Sequence, residues 1–359
     1  MDGAEERIIR ALPEVRTDPL SGAQAIIAAD RAQRPGGAPS CAPAAPIDPA
    51  SDPFAEGNEH MTPPELFALR DPQLPADGPG WQVRVVPNLY PALAPLSAEE
   101  RGHRPPEADQ GQARREAGPL AAHNAHLGLF TSTPARGGHE VIVNSPASVA
   151  SLGDLSPAQL SRALSVWRER MRSHSGAACV QLIVNERLEA GASLPHTHAQ
   201  LYALPFVPAQ VARERERFGA WADRTGGSNL LADLLAEEIR HKERVVALDA
   251  QAALIAPFAS RLPYQLMLVP RLPAPRFEDQ EGDCGAALLG EALARLRALL
   301  GASPPLNLYV RTAPAGAEHF CWRIDIMPRL THIAGLELAT DIYLNIVSPE
   351  RAASSLRAL

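Results

Sequence analysis

The 359-residue chain has few of the features that build cross-linked or membrane-embedded proteins. Its four cysteines, Cys41, Cys179, Cys284 and Cys321, form no Cys-x-x-Cys pair, which argues against a disulfide framework and against a cysteine-rich structural zinc site. No run reaches the roughly 18 apolar residues that span a bilayer. Residues 1–15 are charged and lack the apolar core of a signal peptide. We therefore expect a cytoplasmic protein that does not enter a membrane.

An excess of positive charge is also missing. The 34 Lys and Arg residues face 41 Asp and Glu, for a formal net charge of −7, so no nucleic-acid partner is expected, although a local basic pocket remains compatible with this balance. Aromatic residues make up only 5 %, but the hydrophobic fraction of 45 % and charged fraction of 21 % are those of a globular protein. The 25 glycines and 35 prolines predict long loops, above all at 34–58 and 101–120.

Between these loops, one pattern of strands and helices occurs twice. Each copy reads strand, helix, strand, strand: 139–146, 155–173, 179–185 and 196–204, then 264–270, 285–300, 306–312 and 320–328. Val141 and Leu182 are 41 residues apart in the first copy, and Leu266 and Leu308 are 42 apart in the second. The matched spacing predicts an α+β fold of two related halves, each an antiparallel sheet that carries a long helix. The charged, helix-prone residues 208–245 would link them.

The motif with the clearest chemistry lies in the last strand of the first copy. If residues 196–204 form a strand, His196, His198 and Gln200 share one face, while Thr197 faces the other way. A neutral imidazole can attack phosphorus near pH 7, and a glutamine amide can donate a hydrogen bond to a phosphate oxygen. Two other readings stay open: the polar face of a half-exposed strand, or two histidines that share a metal ion.

The His-x-His-x-Gln run resembles the active-site motif of the histidine triad superfamily, in its nucleotidyltransferase branch, with Thr197 in place of the usual proline. Further segments are similar, in the same order, to the galactose-1-phosphate uridylyltransferase family, so that the resemblance covers nearly the whole chain. These segments are 14–35, 52–65, 83–93, 137–146 and 328–345.

The resemblance implies two histidine-triad-like halves, assembled as a homodimer, and a double-displacement reaction. His198 would attack the α-phosphorus of a nucleoside diphosphate sugar, sugar 1-phosphate would leave, and a second sugar 1-phosphate would collect the nucleotide. His196 and Gln200 complete the catalytic motif. By the same resemblance, further residues would contact the phosphates (Asn185, Ser193, with Gln200), the nucleotide (Arg31, Arg34, Asn88) and the sugar hydroxyls (Glu337). Residues 1–207 would form the half with the nucleotide pocket, and 208–359 a degenerate half. No role is predicted for the other histidines, His139 among them.

The family's metal positions are where this sequence departs most. The positions of one zinc site read Asp52, Ala55, Ser148 and His196, too few strong ligands for a stable site. A second set reads Glu214, Cys321, Arg323 and Asp325, in which Arg323 is a cation and Arg323 with Asp325 suggests an ion pair as readily as a role in the site. We therefore predict no bound zinc and no other cofactor.

The resemblance favours uridylyl transfer between UDP-glucose and galactose 1-phosphate. Nothing in the residues separates uracil from adenine. One alternative is a phosphorylase or adenylyltransferase that acts on ADP-sugars or dinucleoside polyphosphates. Another is a nucleotide-binding protein with little turnover.

Overall fold

The protein is built around one large antiparallel sheet. A computed structural model describes residues 12–29, 31, 40–95, 130, 132–283 and 285–359. The predicted loop 101–120 and part of the loop 34–58 lie outside the described residues. The ten strands of the sheet follow the order β3-β4-β5-β7-β6-β11-β12-β10-β9-β8. Their bounds are β3 Phe67–Arg70, β4 Trp81–Pro87, β5 Gly138–Val143, β6 Cys179–Glu186, β7 His198–Leu204, β8 Val245–Leu248, β9 Ala252–Ile255, β10 Leu266–Pro270, β11 Leu306–Arg311 and β12 Arg323–Pro328.

The strand order shows the predicted duplication. Counted from its outer edge, each half contributes five strands in matching sequence, β3-β4-β5-β7-β6 and β8-β9-β10-β12-β11. The prediction of an α+β fold with two antiparallel halves is confirmed. The halves are not separate sheets, however, because β6 and β11 pair and join them into one. The boundary at 207/208 stays a prediction.

The two long helices cover the same face of this sheet. Helix α1 spans Pro157–Ser173 and α4 spans Ala286–Leu300, both close to their predicted bounds. Helix α1 begins as expected, since the Ser156 hydroxyl accepts a hydrogen bond from the Gln159 N–H at 3.2 Å. Both helices bury apolar side chains in one core with the strands. Each large side chain buried there contributes about 1.5–3 kcal/mol.

Two further helices pack on the opposite face of the second half. Helices α2 Ala209–Thr225 and α3 Leu230–His241 form the predicted helical link. Strand alternation explains the division, because Leu266 and Leu268 of β10 face the long helices while Met267 and Val269 pack with α2 and α3. Among the described helices, none combines the length and the apolar character needed to cross a membrane.

A small second sheet ties the beginning of the chain to its end. Its order is β1-β2-β13, with bounds Glu14–Thr17, Gln24–Ile27 and Tyr343–Asn345. Strands β2 and β13 run parallel, which brings residues 25–27 next to residues 343–345. Helices α5 Gly335–Thr340 and α6 Pro349–Arg357 flank β13.

Candidate active site

The His-x-His-x-Gln motif lies at the start of β7, the strand between β5 and β6 in the first half. Ala199 and Leu201 are fully buried beneath the long helices. Strand alternation therefore turns His198 and Gln200 to the opposite face of the sheet, as the sequence predicts. Strand β7 begins at His198, so His196 and Thr197 precede it in a short connecting segment rather than in the strand itself.

The ring of His198 is held in one orientation with one nitrogen free. Its Nδ1 donates a hydrogen bond to the carbonyl oxygen of His196 at 2.8 Å. Burial lowers the pKa of His198 below its ordinary value, so the ring is neutral near pH 7. Within the described part of the chain no hydrogen bond engages Nε2. A neutral imidazole with its proton on Nδ1 presents the Nε2 lone pair, which is the form required of a nucleophile.

Phe54 packs against the imidazole ring of His198. Its aromatic ring meets His198 edge to face with centroids 5.2 Å apart, and His196 in the same way at 6.1 Å. Such edge contacts favour a defined ring orientation over free rotation. The phenyl ring thus packs both histidines against the strand and limits the access of water to them.

The side-chain amide of Gln200 is oriented by two donors. Its Oε1 accepts hydrogen bonds from the Tyr202 hydroxyl at 2.9 Å and from Nε2 of His139 at 3.1 Å. The His139 proton must be on Nε2, because Nδ1 accepts from the Ala92 N–H and burial lowers the pKa of this histidine. With its oxygen engaged twice, Gln200 presents its NH₂ group as a donor.

His139 also lies beside Asn88, a residue predicted for the nucleotide pocket. The Asn88 amide oxygen accepts from the Tyr90 N–H, and the amide nitrogen lies 3.1 Å from His139 Nε2; with the proton on Nε2 both atoms are donors, so this contact is not a hydrogen bond. The His139 ring stacks on Tyr202 at 4.1 Å. No role was predicted for His139 from the sequence, because its place beside the motif depends on the strand register, in which His139 pairs with Tyr202 and Val141 with Gln200.

The other predicted site residues lie in different parts of the fold. Asn185 follows Val184, which pairs with Ala199, so the register places Asn185 opposite His198; its side chain accepts a hydrogen bond from Asn307 at 2.7 Å, across the joint between the two halves. Ser193 and Arg31 are exposed, and Arg34 lies outside the described residues. Glu337 accepts from the Ala334 and Leu344 backbone N–H groups, and hydrogen bonds from backbone N–H groups lower its pKa. Its contacts are those of a local helix cap, and its predicted role toward a sugar stays untested.

Residues 4–208 match the model of the galactose-1-phosphate uridyl transferase N-terminal domain. The chain belongs to this family. A second model, for a domain of unknown function (DUF4921), matches residues 135–358. The family and the fold class predicted from the sequence are confirmed.

Similar proteins include an ADP-glucose phosphorylase and a galactose-1-phosphate uridylyltransferase. The chain is 29 % identical over 357 residues to ADP-glucose phosphorylase of Arabidopsis thaliana, which covers 96 % of this chain and 92 % of the relative. It is 26 % identical to galactose-1-phosphate uridylyltransferase of Cryptococcus neoformans, over 95 % of this chain and 89 % of the relative. Its fold matches the crystal structure of the Arabidopsis phosphorylase with bound ADP-glucose, with a TM-score of 0.74, 26 % identity and coverage of 97 % and 99 %.

The first set of metal positions does not fit zinc in this family member. Asp52 and His196 are the only strong donors among Asp52, Ala55, Ser148 and His196, and they bind each other: His196 Nδ1 lies 2.7 Å from Asp52 Oδ2. The Ser148 hydroxyl donates to that same oxygen at 2.6 Å, and Ala55 offers no side-chain donor. No group of three or more His, Cys, Asp and Glu able to hold a metal occurs in the described ranges.

The second set of metal positions contains the positively charged side chain of Arg323. The Arg323 guanidinium lies 2.9 Å from Asp325 and 3.0 Å from Glu214 of α2. An Arg323–Asp325 ion pair is one of the two interpretations that the sequence left open. Although burial opposes it, the two carboxylates raise the pKa of Arg323. Arg311 approaches Glu214 at 3.2 Å. In the strand register, Asp325 lies opposite Tyr309 as Gln200 lies opposite Ile183. Arg323 therefore occupies the position in the second half that is equivalent to His198 in the first.

A buried carboxyl group lies behind the motif on its other side. Glu186, at the end of β6, accepts hydrogen bonds from the Thr197 hydroxyl at 3.1 Å, the Ser151 hydroxyl at 2.7 Å and the Leu152 N–H at 2.5 Å. Complete burial raises the pKa of Glu186 to about 7. Thr197, which replaces the family's proline, thus supplies a hydroxyl that binds this carboxyl group.

We expect Glu186 to make stability depend on pH. Its folded-state pKa is raised above its unfolded value, so the folded state binds the proton more tightly. The unfolding free energy should fall as pH rises from about 4.5 to about 7, by up to about 3 kcal/mol, and then level off. Urea unfolding at pH 5 and pH 8 measures this difference. Glu186→Gln should remove it, and an unchanged difference in that variant would assign it to other groups.

Proposed function

We propose that the protein is a nucleotidyltransferase that acts on a nucleoside diphosphate sugar through a covalent intermediate on His198. The observation that supports this is the state of the His198 ring, which is neutral, anchored through Nδ1 and open at Nε2. Two contacts around His198 agree with a role as nucleophile. A ring packed by Phe54 cannot swing away, and an amide held by His139 and Tyr202 faces the same side of the strand.

The proposed reaction proceeds in two balanced steps. The His198 Nε2 lone pair forms a bond to the α-phosphorus, the bond from that phosphorus to the bridging oxygen breaks, and its electron pair leaves with sugar 1-phosphate. An oxygen of an acceptor phosphate then attacks the same phosphorus and returns the electron pair to Nε2. The Gln200 NH₂ group would donate to a non-bridging oxygen, on which negative charge is concentrated in each transition state.

The remaining predicted contacts form part of the same proposal. Asn185 and Ser193 would bind the phosphates, Asn88 with Arg31 and Arg34 the nucleotide, and Glu337 the sugar. We also propose a homodimer in the cytoplasm. Helix α5, which carries Glu337, is exposed together with its apolar residues, Leu338 at 79 % and Leu336 at 43 %, and exposed apolar side chains grouped on one short helix are typical of an interaction surface.

The similarity to ADP-glucose phosphorylase favours an ADP-sugar as donor and inorganic phosphate as acceptor. That similarity extends over 96 % of the chain in sequence and 97 % in structure. Uridylyl transfer to galactose 1-phosphate, which the sequence analysis favoured, becomes the second candidate, supported by the similarity to the Cryptococcus uridylyltransferase.

A matrix of two donors and two acceptors separates the candidates. ADP-glucose and UDP-glucose are each incubated with inorganic phosphate or with galactose 1-phosphate, and the products are followed by phosphorus NMR. We expect ADP-glucose with phosphate to give ADP and glucose 1-phosphate at least about 10-fold faster than any other combination, the size of effect of one well-placed recognition contact. Fastest reaction of UDP-glucose with galactose 1-phosphate would establish the second candidate. Nucleotide binding without products in all four would contradict both.

A further inference from the structure

Asp52 and His196 form a fully buried pair directly beside the nucleophile. Their side chains are 1 % and 0 % exposed. Asp52 Oδ2 lies 2.7 Å from His196 Nδ1 and accepts from the Ser148 hydroxyl at 2.6 Å, while Oδ1 accepts from the Phe54 N–H at 3.0 Å. Both carboxylate oxygens therefore make hydrogen bonds within this cluster.

His196 makes a hydrogen bond at each ring nitrogen. Its Nε2 lies 2.9 Å from the carbonyl oxygen of Ser145, and a carbonyl oxygen can only accept, so Nε2 donates. Its Nδ1 faces a carboxyl oxygen of Asp52 that already accepts from Ser148. One proton lies between Nδ1 and Asp52 Oδ2, and with that proton on Nδ1 the pair is an imidazolium with the Asp52 carboxylate as its counter-ion.

The pair is linked to His198 along two routes. The backbone carbonyl of His196, whose side chain Asp52 holds, accepts the Nδ1 proton of His198 at 2.8 Å. Phe54, whose N–H binds Asp52, places its ring against His198. Moving the Asp52 carboxylate would shift both the acceptor that sets the His198 tautomer and the ring that packs it.

We propose that the Asp52–His196 ion pair, closed by Ser148, is the positioning element of the nucleophile and makes a metal ion unnecessary there. The pair has no net charge, so it orients His198 without placing an uncompensated charge beside it. Neither ring nitrogen of His196 keeps a lone pair for a metal, and the carboxylate oxygen nearest to it already has two donors. This inference rests on the proposed role of His198 as nucleophile.

The variant Asp52→Asn tests the ion pair with little change in shape. We expect kcat to fall about 10- to 100-fold, the range for a slightly misplaced catalytic group, with KM changed less than about 3-fold. The rate at which the His198 adduct forms in a single turnover should fall by the same factor. Asp48→Asn is the matched control, because Asp48 lies in the same loop but is exposed, and its side chain accepts hydrogen bonds from the neighbouring Ala50 and Ser51.

Two measurements do not depend on turnover. Nitrogen-15 NMR of histidine-labelled protein should show His196 as an imidazolium near neutral pH in the wild type and as a neutral ring in Asp52→Asn, with the signal assigned by its loss in His196→Gln. Elemental analysis of the full-length protein should find no stoichiometric metal. A neutral His196 in the wild type, one zinc per chain, or wild-type kcat in Asp52→Asn would each overturn the proposal.

Failure of the proposed function would look different from failure of this inference. Wild-type protein that forms no adduct and turns over no donor would remove His198 as the nucleophile, while the NMR spectrum would still report whether the ion pair exists. An adduct on His198 that forms equally fast in wild type and Asp52→Asn would keep the function and overturn the positioning role.

Discussion

Replacing His198 with asparagine is expected to lower kcat/KM by at least about 10³-fold, since removal of a nucleophile leaves only the contribution of binding and charge stabilisation. Asparagine still carries an N–H able to reach the His196 carbonyl, which the wild-type ring engages at 2.8 Å, but it has no ring nitrogen with a reactive lone pair. The fold should therefore persist while group transfer stops. Initial rates with ADP-glucose and phosphate, alongside circular dichroism, measure both.

The control for this variant is His241→Asn, which makes the same chemical change on helix α3. The His241 side chain is 58 % exposed, and its ion pair in the described structure is with Glu237 at 3.6 Å. Its replacement should leave kcat/KM within about 2-fold of the wild type, as is usual for a surface substitution. If His198→Asn kept more than a tenth of the wild-type activity, the group that attacks phosphorus would have to be another residue.

Replacing Arg323 with methionine is expected to lower the unfolding free energy by about 3–5 kcal/mol, because removal of one partner leaves a buried charge uncompensated. Asp325 would lose the guanidinium that lies 2.9 Å away, and Glu214 would keep only Arg311 at 3.2 Å. Glu214 is completely buried and has no aligned hydrogen bond in the described structure, so Arg311 and Arg323 are the polar groups that offset its burial. Urea or thermal unfolding measures the loss.

The double variant Arg323→Met with Asp325→Asn separates charge from packing. It removes the cation and one carboxylate together and keeps the Glu214–Arg311 pair, so it should recover a large part of the lost stability. Arg172→Met on helix α1 is the surface control, because Arg172 is 48 % exposed and pairs with Glu169 within one helix turn. An exposed pair of that kind contributes about 0–1 kcal/mol. Equal losses in Arg323→Met and Arg172→Met would show that the buried cluster has no special role.

Local features of the fold could be predicted from the sequence because they depend on residues close together in the chain. Ser156 and Pro157 mark the start of α1, where the structure begins it, and period-two alternation places Ala199 and Leu201 in the core. The pairing of β6 with β11 could not be predicted. Both strands have the pattern of buried strands, and such a pattern does not say which strand is the neighbour.

In the candidate site, too, local features could be predicted from the sequence and long-range contacts could not. The spacing of His198 and Gln200 predicts their shared face without any structure, whereas His196 lies before the strand begins. The partners that set their protons come from distant segments: Asp52 lies 144 residues from His196, and His139 lies 61 residues from Gln200. Only the strand register and the path of the loop before β3 bring those residues together. The choice between adenine and uracil depends on pocket contacts that no short motif encodes.

Intact-protein mass spectrometry after incubation with ADP-glucose, and separately with UDP-glucose, in the absence of acceptor tests the covalent mechanism most directly. We expect the mass to increase by one nucleoside monophosphate, and the added group to be acid-labile, to disappear on addition of the acceptor, and to be absent from His198→Asn. The donor that labels the protein would also identify the base. Turnover of the donor by the wild type without any mass gain, or equal labelling of His198→Asn, would contradict a nucleotidyl intermediate on His198.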